Sequence, residues 1–194
     1  MKKQNKRKWT KRGMTSIEVV IGTLIFLLVF ISICDFLVLS NRYSALTDTT
    51  KEVTRILSVQ GGALVTKPAS YQANYYNIEQ LSRIIQKQMN GMGFKDEEYG
   101  VYIKYSKIYD DTDKTSKEVD LIENIIGLKD DGTYGVIKPT QKIDYLSDFN
   151  VMIVAYYSWP FTKSVFKLDP MRASVTMPGL SEWRYSYDGW TNED

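Results

Sequence analysis

The chain of 194 residues has no histidine and a single cysteine, Cys34. Without histidine there is no Ser-His-Asp or Cys-His catalytic pair and no imidazole to hold zinc. One cysteine rules out an intramolecular disulfide and a thiolate cage. No G-x-S-x-G turn occurs, and no pair of carboxylates stands out for acid–base chemistry, so the reading is of a non-enzyme with no cofactor and no metal. Excess charge is scarce as well, with 25 basic against 23 acidic residues and a net of +2. Seven of the basic residues (Lys2, Lys3, Lys6, Arg7, Lys8, Lys11 and Arg12) fall in the first thirteen positions, which hold no acid; the other 181 residues carry 18 basic against 23 acidic, or −5. Positive charge gathered in a terminal tag is not a nucleic-acid-binding face, and no nucleic-acid partner is expected. At 43% hydrophobic and 25% charged, the chain is too apolar for disorder.

What the sequence does have is one long apolar run. Residues 19–34, VVIGTLIFLLVFISIC, carry no charge; Asp35 interrupts, and FLVL continues to Leu39. These 21 positions span about 30 Å as a helix, the thickness of a bilayer core. A cleavable secretory signal would be shorter and would end in a small-x-small site, and only Ser44-Ala45 weakly matches one. The run therefore reads as a retained transmembrane helix. The basic leader places the N-terminus in the cytoplasm and residues 41–194 outside.

The junction between leader and span reads KRGMTSIEVVIGTLI over residues 11–25. Glycine ends the leader, Met14 begins the apolar stretch, and Glu18 is the fifth residue counted from Met14. This resembles the class III (prepilin) signal sequence of type IV pilin-like proteins. The resemblance implies cleavage by a prepilin peptidase between Gly13 and Met14, methylation of the new amine, and a functional carboxylate at Glu18. Met14 departs from the aromatic residue usual at the start of major pilins, which points to pilin-like relatives of the tight-adherence type. Glycine leaves the backbone unobstructed for a peptidase. A carboxylate inside the apolar run costs about 2–3 kcal/mol against lipid unless paired, and a free amine at a neighbour's Met14 could pair with it. The plainer alternative keeps Glu18 at headgroup level beside Lys11 and Arg12. Asp35, about 31 Å along the helix from Met14, reads as a solvated or headgroup-level carboxylate at the outer interface. Cys34 reads as a packed small apolar residue, and Gly22 is weak evidence for close helix approach.

Beyond the span, Tyr43, Leu46, Val53, Ile56 and Leu57 recur at helical spacing, with Thr50 filling the stripe. The helix is expected to continue, one-sided, to about Ser58 and to stop at Gly61-Gly62. Residues 61–76 read as a loop. A second helix is expected over Asn77–Asn90, capped by Asn77, with Ile78, Leu81, Ile84, Ile85 and Met89 inward and Gly91 at its end. Alternation predicts a strand over Tyr99–Tyr109. DDTDKTSKE, residues 110–118, reads as a hairpin tip or loop and fails the calcium-loop pattern; Asp130-Asp131-Gly132 reads as a turn. Further strands are expected over Val151–Ser158 and Ala173–Met177, the latter ending at Pro178-Gly179. The stretch VMIVAYYSWPF…MRASVTMPG resembles the C-terminal part of TadE-like pilin-related proteins. Trp183, Tyr185, Tyr187 and Trp190 are candidates for an exposed interaction surface or for a core strand.

The expected fold is α+β: a basic leader (1–13), a transmembrane helix (14–40), its amphipathic extension (41–60), and an extracytoplasmic domain (61–194) with a helix and an antiparallel sheet. The function expected from the resemblance is a TadE-type structural or minor subunit of a type IV pilus-related filament or its assembly machine. Its partners would be the membrane, a prepilin peptidase and other pilin-like subunits. The alternative is an unpolymerised, signal-anchored accessory protein of a secretion, conjugation or competence system. Topology has a direct test. Protease added to wall-less cells should digest residues 41–194, and protease added to inside-out vesicles should leave them intact; cutting from the same face in both overturns the orientation.

Overall fold

The computed structural model describes residues 8–69, 71 and 73–185, with side chains from Ser16 onward except at Ser164 and Val165. The chain forms two compact units. One comprises the chain up to Ser40 together with residues 158–169; the other comprises 41–157 and the chain from Pro170.

Helix α1 runs without interruption over Lys8–Gln60, 53 residues. Nothing in it opposes helix: there is no proline, and Thr23, Ser32, Thr47, Thr49, Thr50 and Thr54 bond back to their own helix. Thr23 donates to the Val19 carbonyl and Ser32 to Leu28, each at 2.8 Å, so these hydroxyls need no partner in an apolar medium. Thr50 and Thr54 repeat the arrangement where the helix is buried. The helix stops where the sequence predicts, because Gly61 and Gly62 take φ of +68° and +133°.

In the second unit, the last four turns of α1 bury Leu46, Thr50, Val53 and Leu57 in one stripe. Tyr43 does not join it and stays exposed. Helix α2 (Ile78–Gly91) buries Ile78, Leu81, Ser82, Ile85 and Met89. Its start is a complete capping box: the Asn77 side chain accepts from the Gln80 amide at 2.8 Å, and the Gln80 side chain accepts from the Asn77 amide. Both helices pack into one core with a five-stranded antiparallel sheet. Its strands are β1 (Tyr99–Asp110), β2 (Thr115–Leu128), β3 (Tyr134–Val136), β4 (Asp148–Tyr157) and β5 (Met171–Leu180), in the order β3-β2-β1-β4-β5. Alternate residues Val101, Ile103 and Tyr105 of β1 and Phe149, Val151, Ile153 and Ala155 of β4 are buried in that core. On β2 a bulge opposite Val101 and Tyr102 breaks the alternation and lets consecutive Ile125 and Ile126 both bury.

Two expectations need correction. Residues 115–118 are strand rather than loop, so the hairpin tip is only Asp111–Lys114. This end of β2 is exposed on both faces, and with neither face buried no apolar alternation marks it. The acidic cluster there is neutralised by lysines. Lys117 bridges Asp110 and Asp113 at 2.5 and 2.7 Å, and Lys142 meets Asp111 at 2.6 Å. The hydrogen bond from Lys117 holds the Asp110 carboxyl down at about 2. The second correction is β5, which continues through Pro178-Gly179 to Leu180. It is an edge strand, where the missing proline N–H is tolerated. Gly179 is required there, since the buried Phe149 ring occupies the space a Cβ would take.

The end of α1 is closed by the C-terminal segment. The Tyr185 hydroxyl lies 2.9 Å from the Gly61 carbonyl and 3.3 Å from that of Gln60, and the Glu182 amide donates to Ser58 at 2.8 Å. Carbonyls in a last helical turn have no partner within the helix, and these contacts supply one. Tyr185 is therefore interior, 2% exposed, and Trp183 packs edge-on against Tyr71. Tyr187 and Trp190 lie outside the described residues.

Two glycine substitutions separate these effects. Gly179→Ala should destabilise the detergent-solubilised protein by about 1–3 kcal/mol, because Phe149 must move within a filled core. Gly91→Ala, at a helical site with open space around it, should be neutral or stabilise by up to about 1 kcal/mol. Thermal unfolding followed by circular dichroism reads both.

Candidate functional site

The helix unit differs from the packed domain in one respect: its apolar side chains face outward. Ile17, Val19, Val20, Ile21, Leu24, Ile25 and most large residues on to Leu37 are more than half exposed. The described part of the helix, Ser16–Gln60, contains a window long and apolar enough to cross a membrane, and none of that window is buried. Apolar surface on every side of a helix over residues 16–27, about three turns, requires an apolar surrounding, either lipid or other helices.

Gly13 and Met14 lie within the helical backbone of α1. Glu18 is exposed, one turn past Met14, and four residues apart on a helix is the same face. Gly22 follows one turn further, with no atom within 4 Å of the place a Cβ would take. The three predicted positions Gly13, Met14 and Glu18 thus fall on two adjacent turns, and no ion pair reaches Glu18 among the described residues.

Asp35, expected as a solvated or headgroup-level carboxylate, is instead a buried one. It is 1% exposed. Its Oδ1 accepts from the Phe161 amide at 3.1 Å and its Oδ2 from the Thr162 amide at 2.8 Å. Both donors belong to the connection between β4 and β5, residues 158–169, which includes a single helical turn, α3 (Lys163–Phe166), closed by Lys167 at φ +48°. A buried carboxylate needs donors, and here two backbone N–H groups serve both oxygens. The sequence reading missed this pair. Its only signal is the composition of SWPFTKSVFKLD, apolar and aromatic residues without strand alternation in what should be a polar loop.

If Asp35 holds this connection, removing it should release the segment. A hydrogen bond to a charged acceptor contributes about 1.5–3 kcal/mol. Limited trypsin digestion of the detergent-solubilised protein should therefore cut Asp35→Ala after Lys163 or Lys167 many times faster than wild type, with Asp35→Asn intermediate. Equal rates for Asp35→Ala and wild type would show that the two bonds do not hold the segment.

No family model matches the chain, and neither a curated protein nor a solved structure matches it.

Proposed function

We propose that this chain is a pilin-like, TadE-type structural or minor subunit of a type IV pilus-related surface filament or of its assembly machine. It would be processed by a prepilin peptidase after Gly13. The observation that carries this reading is the position of Gly13, Met14 and Glu18 at the basic end of a helix whose apolar side chains from Ile17 to Leu27 are all exposed.

The chemistry follows from that placement. A peptidase must hold the scissile backbone extended, and glycine makes the first helical turns easier to unwind, by about 1 kcal/mol relative to alanine. Cleavage leaves an amine on Met14, one turn from Glu18. Helix packing in lipid gains little from the hydrophobic effect, because lipid is as apolar as leucine. A specific polar pair therefore has unusual leverage. Glu18 unpaired opposes transfer into a bundle, whereas Glu18 against a neighbour's Met14 amine favours it and sets the axial register. Gly22 beside it leaves room for close approach.

Processing and assembly are separable by mutation. Intact mass of the membrane-extracted wild type should give a chain beginning at Met14, and Gly13→Val should remain uncut. Glu18→Gln should be cleaved normally, yet its amount in sheared surface material relative to the membrane pool should fall at least tenfold. Cleavage with equal ratios for wild type and Glu18→Gln would favour the unpolymerised accessory protein. An uncleaved wild type in cells that contain the peptidase would overturn the reading.

A further inference from the structure

We infer that residues 158–169 form an interfacial membrane anchor, which lays Phe161, Phe166 and Leu168 into the outer acyl–headgroup boundary and Lys163 and Lys167 against anionic headgroups. The inference rests on the reading of α1 as a membrane span.

Depth is the first argument. Asp35 lies 21 residues beyond Met14, where the apolar stretch begins, and so about 31 Å along the helix. That is the far margin of a hydrocarbon core about 30 Å thick. The hydrogen bonds donated by the Phe161 and Thr162 amides to Asp35 hold the connection at this level.

Composition is the second. A loop in water exposes polar groups, yet Phe161 is 51%, Phe166 53% and Leu168 41% exposed. Lys163 and Lys167 are exposed between them, and Trp159 is half-buried at the start of the segment. Aromatic rings with lysines are the residues that sit at a membrane–water boundary, rings in the acyl margin and ammonium groups among the headgroups. The segment carries these two lysines against Asp169 alone, which suits an anionic surface.

Continuity is the third. On the same unit, Ile33, Phe36 and Leu37 are more than half exposed around Asp35. The apolar surface of the helix and that of the connection therefore occupy the same level, and lipid covering one reaches the other. Asp35 then has a purpose beyond avoiding lipid: it pins an amphipathic segment at a fixed depth.

The test uses the full chain reconstituted in vesicles of phosphatidylcholine with 30% phosphatidylglycerol, on a Cys34→Ser background. An environment-sensitive fluorophore is placed in turn at Phe166→Cys, Leu168→Cys and Ile25→Cys. Spin-labelled lipids then quench from a shallow or a deep acyl position. The shallow label should quench the probes at 166 and 168 at least twofold more than the deep label. The probe at 25 should show the reverse preference. Asp35→Ala should abolish quenching at 166. Lys163→Glu with Lys167→Glu should reduce quenching at 168 severalfold in anionic vesicles only.

Quenching at 25 with none at 166 and 168 overturns the anchor while leaving the membrane span intact. Absence of quenching at 25 overturns the span itself. Probes at 166 and 168 that are shielded from water but unquenched by lipid, with shielding that rises with protein-to-lipid ratio, assign the surface to a second copy and also overturn the anchor.

Discussion

One helix has to satisfy two surroundings. From Ile17 to Leu37 most large side chains of α1 are apolar and exposed, while from Leu46 to Leu57 a single stripe is buried in the core shared with the sheet. The backbone does not change between these halves, since the hydrogen bonds of a helix are internal and indifferent to what lies outside. Only the side-chain pattern changes. This continuity makes α1 both the apolar element that needs lipid or neighbouring helices and the central strut of the folded domain. The rest of the domain is arranged to complete it: α2 and the sheet cover its stripe, and the C-terminal segment closes its last turn through Tyr185 and Glu182.

The apolar half carries two carboxylates, and they meet opposite solutions to one problem. A charge in or beside hydrocarbon must find donors or a counter-charge. Asp35 finds its donors within the chain, in two amides of the β4–β5 connection. Among the described residues no such segment reaches Glu18, and its proposed partner is the amine of another subunit. The first arrangement orders one molecule, and the second would order many.

Much of this was legible in the residues. The length of the apolar run, the Gly61-Gly62 stop, the Asn77 cap with its inward face, and the alternation over β1 and β4 are local signals, and each became the expected element. The α+β class follows from them. Legibility failed where no face is buried or where a rule depends on position in the sheet. The first residues of β2 are solvated on both sides and so look like loop. Pro178 reads as a strand end unless the strand is known to be an edge.

Sequence alone determined that this chain has one apolar helix of bilayer length behind a basic leader, that Glu18 interrupts it five residues after Gly13, and that an α+β domain follows, because these depend on neighbours within a few turns. Tertiary structure alone decided that Asp35 is buried, that Tyr185 faces inward to close α1, and that Phe149 demands a glycine at position 179. Asp35 and Phe161 are 126 residues apart, and Tyr185 and Gly61 are 124 apart. At such separations no periodicity reports which groups meet; that is settled only when the sheet and helices pack and every buried donor and acceptor must find its partner.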